Sequence, residues 1–162
     1  MDKELIYRAQ KVAAHYVIKA QKNFKQSFPI PQLNYKLRGK AAGKAYLQLN
    51  EIRLNPILFI ENQQAFLNDV IPHEVAHLIT YQVYGKVKPH GKEWQLVMES
   101  VFGVAAKTTH DFALTSVQGQ VFDYQCECQR HPLSIRRHNK IQRSQSHYRC
   151  KLCQQTLIYI EQ

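Results

Sequence analysis

The sequence lacks long apolar runs, because nowhere do eighteen successive apolar residues occur, and this argues against a membrane-spanning helix. Residues 1–21 have charges scattered through them and no continuous apolar stretch of the kind that a secretory signal peptide needs. Internal repeats and low-complexity tracts are absent as well. We therefore expect a soluble, cytoplasmic protein with no membrane partner, built as one main domain and a small satellite within 162 residues.

Cysteine is missing from the first 125 residues. The four cysteines form the pairs Cys126-x-Cys128 and Cys150-x-x-Cys153, which is typical of a metal site in a reducing compartment rather than of disulfides. A structural zinc site normally has two residues between paired thiolates, so the first pair is one residue too close. Cys128 and His131, in contrast, have two residues between them, which is the usual spacing of paired zinc ligands. We slightly favour the four-cysteine site, with three cysteines plus His131, or a degenerate site without metal, as alternatives.

Acidic residues are scarce, since 12 Asp and Glu face 22 Lys and Arg for a net charge of +10. Residues 124–162 contain seven basic and two acidic residues, so half of the net charge lies in a quarter of the chain. We interpret 136–140 as a basic hairpin that contacts the phosphates of DNA, although a solvated basic face is the simpler alternative. Tyr124, His147 and Tyr148 are candidates for stacking on bases. The predicted nucleic-acid contacts are Arg136, Arg137, Lys140, Arg143 and Arg149.

The most informative motif that is present is His73-Glu74-Val75-Ala76-His77. Two imidazoles four residues apart project from one face of a helix and can share a divalent metal ion. Glu74 follows the first imidazole, where a carboxylate can take a proton from zinc-bound water as general base. Flanking apolar residues at helical spacing favour a helix, and Pro72 predicts a kink or a helix start. The alternative is a solvated surface helix.

A catalytic zinc ion usually takes three protein ligands, so we expect a third ligand downstream of His77. Metzincins place a histidine six residues further on, but this position is Val83, which excludes that class. The remaining candidates are His90, which lies in a Pro-His-Gly turn, and the glutamates Glu93 and Glu99. We favour His90 because a turn can reverse the chain and present the imidazole at the mouth of the motif helix. Glu93 or Glu99 could reach the metal only if the next helix were rotated so that its carboxylate faced the two histidines.

The remaining patterns predict scaffold elements. Apolar residues at helical spacing predict an amphipathic helix over 3–24. Alternating patterns predict strands around 33–37 and 47–49, joined by a Gly-containing loop. The extended segment through Leu54 is interpreted as a sheet edge, either an ordinary one or one to which a peptide substrate adds a strand. Residues 104–120 lack a clear period.

These segments resemble a known protein family. The stretch HEVAHLITYQVYGKVKPHGKEWQLVM, preceded by YKLRGKAAGKAYLQLNEIRLNP and followed by YQCECQRHPLSIRRHNKI and YRCKLC, is similar to bacterial SprT-like zinc metallopeptidases. It is similar, more distantly, to the SprT-type protease domain of eukaryotic Spartan. The resemblance covers about residues 5–159. It implies an α+β chain, with a zincin-like metallopeptidase domain over 1–120, in which helices pack on a small antiparallel sheet, and a zinc-ribbon-like β unit over 121–162.

The resemblance also implies roles for individual residues. The implied ligands of a catalytic zinc are His73, His77 and His90, with Glu74 as catalytic acid and base. The implied ligands of a structural zinc are Cys126, Cys128, Cys150 and Cys153, with His131 as the alternative ligand.

In the eukaryotic relatives the activity is cleavage of proteins covalently trapped on DNA. We therefore predict a zinc-dependent endopeptidase that acts on DNA-associated proteins. The alternative is a zinc-containing nucleic-acid-binding or regulatory protein with little peptidase activity. Tyr81 and His110 are both candidates for stabilising the oxyanion of the reaction.

Overall fold

A computed structural model of the chain describes residues 1–160. Glu161 and Gln162, the end of the predicted ribbon unit, lie outside the described residues. The chain divides into two compact units, Met1–Val117 and Gln118–Gln162. Helices combine with small β-sheets, which confirms the predicted α+β class. Within the described part of the chain, no helix is long and apolar enough to cross a membrane.

The first unit consists mostly of helices around one small sheet. Its regular elements are α1 (Lys3–Phe24), β1 (Gln32–Asn34), β2 (Gly43–Tyr46), β3 (Glu51–Leu54), α2 (Pro56–Glu61), α3 (Gln63–Ala65), α4 (Ile71–Tyr84) and α5 (Lys92–Leu96). This unit also contains two 3-10 turns, Leu47–Leu49 and Thr115–Val117, which are wound more tightly than an α-helix. Two π-helical turns, Phe66–Val70 and Val97–Phe102, are wound more widely.

Helix α1 forms one wall of the core. Its N-cap is Asp2, whose carboxylate accepts a hydrogen bond of 3.3 Å from the backbone N–H of Glu4. It ends at Lys25, which has a left-handed backbone conformation. The helix packs against α4 and the π-helical turn Val97–Phe102, and the small side chains on its buried face allow close packing. These buried residues are Leu5, Ala9, Ala13, Val17 and Ala20. The predicted amphipathic helix over 3–24 is confirmed.

The sheet of the first unit has the order β1–β3–β2. Strand β2 is antiparallel to β3, but β1 is parallel to it, so the sheet is mixed and not purely antiparallel as predicted. The reason is that residues 35–42 carry the chain past β3 before β2 begins, and a parallel pair needs such a crossover. The central position of β3 also means that the predicted sheet edge through Leu54 is wrong. The edges are β1 and β2.

A tight turn links β2 to β3. The strand predicted around 47–49 is wrong, because Leu47–Leu49 form a 3-10 turn that ends at Asn50, with a φ of 48°. Asparagine tolerates this left-handed conformation better than most residues do. The strand predicted over 33–37 is shorter in the structure and covers Gln32–Asn34. Alternation of apolar residues therefore located the sheet region but not the strand ends.

The motif helix α4 starts where the proline predicts it. A π-helical turn, Phe66–Val70, precedes it, and the backbone N–H of Ile71 bonds to the carbonyl of Phe66 five residues back. Pro72 lies in the first turn of α4, where its missing N–H costs little. The wider π turn accommodates the proline ring without ending the helical path. The sequence predicts a kink or a helix start at Pro72, and the structure places Pro72 in the first turn of α4, on a helical path that continues from the π-helical turn.

The second unit contains β4 (Val121–Gln125), β5 (Arg130–Ser134), α6 (Ile135–Gln142) and β6 (Ile158–Tyr159). Its antiparallel sheet has the order β5–β4–β6. The buried core is small and comprises Tyr124, Leu133, Cys150 and Leu157. So small a core supplies little of the free energy of folding by apolar burial alone.

The basic hairpin predicted over 136–140 is wrong, because these residues lie in helix α6. Ile135, His138 and Ile141 recur at intervals of three, which is compatible with one side of a helix. The His138 ring stacks on Phe122 at 3.7 Å between centroids, and its Nδ1 lies 3.0 Å from the hydroxyl of Tyr124. These contacts hold α6 on β4 and leave its basic residues on the outside.

Asn55 joins the sheet to the helices, and its replacement tests this junction. Its Oδ1 accepts hydrogen bonds from the N–H groups of Ile57 and Leu58, and its Nδ2 donates a 2.7 Å bond to the carbonyl of Gly39. We expect Asn55→Ala to lower the free energy of unfolding of the first unit by about 2–3 kcal/mol. Asn55→Asp keeps the cap oxygen but sets a second acceptor oxygen against the carbonyl of Gly39, so it should also lose about 1–3 kcal/mol.

The measurement is urea unfolding followed by the fluorescence of Trp94, the single tryptophan, which reports on the first unit. Asn68→Ala is the matched control, since Asn68 is exposed and bonds only to Gln64 within its own helical segment; it should change stability by less than about 0.5 kcal/mol. Equal effects of the Asn55 and Asn68 alanine variants would contradict the role of Asn55.

Candidate functional site

Three histidines converge at one end of the first unit. Helix α4 places His73 and His77 one turn apart, and His90 follows in the turn before α5. His90 has a φ of 57°, and the N–H of Gly91 bonds to the carbonyl of Lys88 at 2.9 Å to close this turn. The Nε2 atoms of the three rings form a triangle with sides of 3.1, 3.1 and 3.0 Å.

Surrounding groups fix the orientation of these rings. The Nδ1 of His73 donates a 3.1 Å hydrogen bond to the carbonyl of Lys107, which leaves the lone pair of that ring on Nε2, facing the other two rings. Trp94 packs against all three imidazoles, with centroid distances of 4.8, 5.5 and 4.7 Å. Its indole N–H donates a 3.4 Å bond to the carbonyl of His73. The histidine cluster is therefore preorganised.

The donor set fits a zinc ion. Burial lowers the pKa of His73 to about 4 and the pKa of His77 to about 3, so both rings are neutral near pH 7 and offer lone pairs. Three ring nitrogens about 3 Å apart approach the spacing of about 3.3 Å that tetrahedral zinc with Zn–N bonds of about 2.0–2.1 Å requires. The cluster His73, His77 and His90 could therefore hold a metal ion.

The glutamates that competed with His90 in the sequence do not join this cluster. In the part of the chain that the structure describes, the group of possible metal ligands here comprises the three histidines alone. Glu99 is exposed on the π-helical turn after α5. The Glu93 carboxylate lies near Gly91 instead. The geometry supports the preference for His90 as the third ligand.

Glu74 is buried between α4 and β2, and 6% of its surface is exposed. Gly43 makes this approach possible, because a Cβ atom there would lie 2.9 Å from both Cγ and Oε1 of Glu74. Burial raises the pKa of Glu74 to about 7, although a hydrogen bond from the backbone of Ala45 acts in the opposite direction. A carboxyl group with this pKa can both accept and release a proton near neutral pH.

A cleft runs past these residues along β2. Two cavities of about 280 and 330 Å³ both include Gly43, His73 and Glu74 in their walls. The backbone N–H of Asn55 bonds to the carbonyl of Ala42 at 2.8 Å. In an antiparallel pair the hydrogen-bonded positions alternate, so the backbone groups of Gly43 and Ala45 point away from β3. The free edge of β2 thus offers hydrogen bonds along the cleft.

The two residues considered for oxyanion stabilisation lie in different places. His110 lines the 280 Å³ cavity together with Glu74. Tyr81 borders a separate cavity of about 70 Å³, whose wall includes His77 but not Glu74. His110 is therefore the one that shares a cavity with Glu74.

The second unit brings the four cysteines together. Their sulfur atoms lie within 4.8 Å of one another, and the Sγ atoms of Cys126 and Cys128 are 3.4 Å apart despite the short spacing in the sequence. The cysteines are free. Tetrahedral zinc with Zn–S bonds of about 2.3 Å requires sulfur atoms about 3.8 Å apart. The cluster Cys126, Cys128, Cys150 and Cys153 could therefore hold a metal ion.

Backbone hydrogen bonds favour the thiolate of one cysteine in this cluster. Backbone N–H groups of Cys153 and Leu152 lower the pKa of Cys150 to about 5, which favours its thiolate. His131 lies beside the cluster, with its Nε2 at 3.3 Å from the Sγ of Cys126. It is not part of the four-membered ligand group, so the geometry supports four cysteines rather than three cysteines plus His131.

The basic residues predicted to bind DNA are exposed. Three of them, Arg136, Lys140 and Arg143, are spaced by four and three residues, the spacing of one helix side, and Arg137 lies over the Tyr148 ring at 5.6 Å. The complete exposed set is Arg136, Arg137, Lys140, Arg143 and Arg149. Tyr124 is fully buried. Its predicted role in base stacking is therefore wrong, because its ring belongs to the small core.

Some residues of the site escaped the sequence analysis. Gly43 carries a signal, since a glycine inside a strand pattern often marks a close approach of another group. The contact of Trp94 with the three imidazoles was not predicted from the sequence. The carbonyl of Lys107 carries no signal, because any residue supplies a backbone carbonyl. Its role depends on the path of the non-periodic segment after α5.

Comparisons with known proteins agree with this architecture. The SprT-like family matches residues 13–110, and the SprT-like zinc ribbon domain matches residues 120–161. Protein SprT of Vibrio parahaemolyticus is 65% identical over 97% of this chain and 95% of its own length. Protein SprT of Vibrio atlanticus is 60% identical, covering 94% and 92%, and that of Yersinia enterocolitica is 52% identical, covering 90% and 86%.

No solved structure shows significant similarity to the chain. The family match covers most of the first unit and contains the three histidines. The ribbon match contains the four cysteines. The chain therefore belongs to the SprT-like family and carries the SprT-like zinc ribbon domain.

Proposed function

We propose that the first unit is a zinc-dependent endopeptidase, and that its substrates are proteins associated with DNA. The observation that carries the peptidase proposal is the buried carboxylate of Glu74 next to three converging imidazoles in an open cleft. Burying a carboxyl group opposes folding, and a purely structural metal site has no use for it. Histidine ligands with an adjacent acid and base suit hydrolysis.

In this proposal His73, His77 and His90 hold zinc in the first unit, and the four cysteines hold a structural zinc in the second. When bound, the first zinc would polarise a substrate carbonyl and lower the pKa of a water molecule. The carbonyl of Lys107 and the ring of Trp94 keep the imidazoles in position.

Glu74 moves the proton in each half of the reaction. Its carboxylate removes a proton from the attacking water, whose oxygen bonds to the peptide carbonyl carbon while the π electron pair moves to the carbonyl oxygen. When the carbon–nitrogen bond then breaks, Glu74 delivers this proton to the leaving nitrogen. One water is consumed, and a carboxylic acid and an amine are formed, which ionise at neutral pH to a carboxylate and an ammonium group. The close packing of the Glu74 side chain against Gly43 of β2 keeps its carboxyl group in place for both steps.

The substrate chain binds along β2 in this scheme. The backbone groups of Gly43 and the carbonyl of Ala45 on the free edge can pair with an extended peptide, as in other cases of strand addition. Lys40 and Lys44 line the two cavities at this edge. This replaces the edge predicted at Leu54 with one that adjoins Glu74.

The second unit would bring the enzyme to DNA. Helix α6 exposes Arg136 and Lys140 on one side, Arg143 is the exposed residue that follows its last turn, and phosphate contacts need only such accessible cations. A second candidate function follows from this unit, namely a zinc-containing nucleic-acid-binding or regulatory protein with little turnover. The basic helix favours both functions, whereas Glu74 favours the peptidase.

Replacement of the proposed base tests the chemistry. We expect Glu74→Gln to lower the rate of casein cleavage by about 10²–10⁴-fold, because the amide cannot accept the proton of water. Zinc content and the unfolding midpoint should not fall, since the amide has nearly the same shape. Glu99→Gln is the matched control and should cleave like the wild type. Undiminished cleavage by Glu74→Gln would rule out the assignment of Glu74.

Zinc content tests the two ligand sets separately. Elemental analysis should find two zinc ions per wild-type chain, one in His90→Ala and one in Cys150→Ser/Cys153→Ser, because each variant removes ligands from only one cluster. His15→Ala, which removes an exposed histidine of α1, should retain both ions. A wild type with one zinc that survives the cysteine replacements would refute the structural site, and zinc without any cleavage would favour the binding protein.

Salt-dependent binding tests the role of α6. We expect Arg136→Ala/Lys140→Ala/Arg143→Ala to weaken binding to a labelled DNA duplex and to reduce the slope of log Kd against log salt by about 2–3, as the loss of three phosphate contacts requires. Fluorescence anisotropy measures both quantities.

The matched control, Lys3→Ala/Lys11→Ala/Lys22→Ala on α1, removes the same charge from the first unit and should have a much smaller effect. Equal effects of the two triple variants would mean that net charge, and not α6, determines binding.

A further inference from the structure

We infer that His110 is a further catalytic residue, whose ring N–H donates a hydrogen bond to the scissile carbonyl oxygen as that oxygen gains negative charge. This inference rests on the proposed peptidase function and assigns a role to one more side chain of the same cleft. It concerns the transition state rather than the binding of zinc.

His110 faces the place where the reaction would occur. It lines the 280 Å³ cavity with Gly43, His73 and Glu74. Its ring centroid is 5.9 Å from that of His73, so it is too distant to be a fourth member of the histidine cluster but close enough to reach a substrate held there. The side chain is half-buried, which keeps one side of the ring accessible from the cavity.

A series of stacked rings holds His110 in place. Its imidazole stacks on Phe112 at 5.2 Å and 6°, and Phe112 stacks on Phe66 at 5.5 Å and 13°. Phe66 stacks on Phe59 at 4.8 Å, and both of these rings are fully buried. Tyr35 continues the series beyond Phe59 at 6.3 Å. We name these five residues the ring stack. The plane of the imidazole is thereby fixed by the core, although His110 lies in a segment without helix or strand.

The ring nitrogens of His110 are available to a substrate. Among residues 1–160 neither nitrogen has a hydrogen-bond partner; burial lowers the pKa of the ring, and Asp69, Lys107 and Asp111 are charged residues nearby. An imidazole carries at least one N–H in either protonation state, so the ring can donate regardless of its charge. An oriented donor without a partner is suited to stabilising a developing oxyanion.

Other donors fit this role less well. Tyr81 borders a separate cavity that does not include Glu74. Thr108 and Thr109 line the same cavity as His110, but both are exposed and neither belongs to the ring stack. Thr109 is the natural competitor in a test, because it is next to His110 in the chain.

The test uses the full-length, zinc-loaded chain and steady-state cleavage of fluorescently labelled casein. Loss of one oxyanion donor typically costs about 10²–10³-fold in kcat. We expect His110→Ala to lose about 100-fold in kcat with KM within about twofold. His110→Gln should recover part of this loss, because its amide N–H can donate. Phe112→Leu should lower kcat less, by about 3–10-fold, because it loosens the ring stack but keeps the imidazole.

A binding readout separates this inference from the peptidase proposal. A phosphinic peptide mimics the tetrahedral intermediate, and His110→Ala should bind it about 10–100-fold more weakly than the wild type. Binding of an uncleaved substrate peptide, measured in the Glu74→Gln background, should change by less than about twofold. Zinc content should stay at the wild-type value in all variants, and His15→Ala is the control for loss of a histidine.

Two results would overturn the inference. Equal affinity of the wild type and His110→Ala for the phosphinic peptide would do so whether or not the protein cleaves casein. So would an unchanged kcat in His110→Ala, and a loss of kcat in Thr109→Val would then assign the role to Thr109 instead. A wild type that retains zinc and binds the phosphinic peptide through His110 but cleaves no protein would instead refute the proposed peptidase function alone.

Discussion

The burial of helix α4 is the constraint on which the first unit depends. Residues 71–76 are all buried, with α1 on one side and β2 on another. A helix in this position has no freedom to rotate, so the direction of His73 and Glu74 follows from core packing. Apolar side chains such as Val75 and Ile79 thus determine where the polar chemistry faces. The site is stable because its scaffold is the centre of the hydrophobic core.

The second unit depends on a different interaction. Its core is small, and four thiol groups converge where a larger domain would have apolar side chains. Backbone N–H groups around Cys150 lower its pKa and favour a thiolate there. In small units of this kind metal binding supplies free energy of folding. The two possible metal sites therefore differ in their surroundings, since the histidines line a cleft of a well-packed unit and the cysteines lie in a unit with a small core.

Predictions from the sequence were most successful where the structure depends on residues that are close together in the chain. Helical geometry fixes the relation between His73 and His77, and the turn at His90 lies only thirteen residues further on. The sheet order was not predictable in this way, because the pairing of β1 with β3 depends on a crossover. The helical state of α6 was missed because its apolar positions are few and its basic residues suggested a loop. The position of His110 depends on long-range stacking, which leaves no periodic pattern in residues 104–120.

The free edge of β2 has a consequence for substrate choice. A peptide that pairs with it becomes a fourth strand of the sheet, so its backbone must first be released from its own structure. Native globular proteins keep most of their backbone groups paired, and the cleft would therefore select for unfolded or locally opened chains before it contacts any side chain. In the proposed peptidase, selection by conformation in place of sequence would allow broad cleavage while sparing intact folded neighbours.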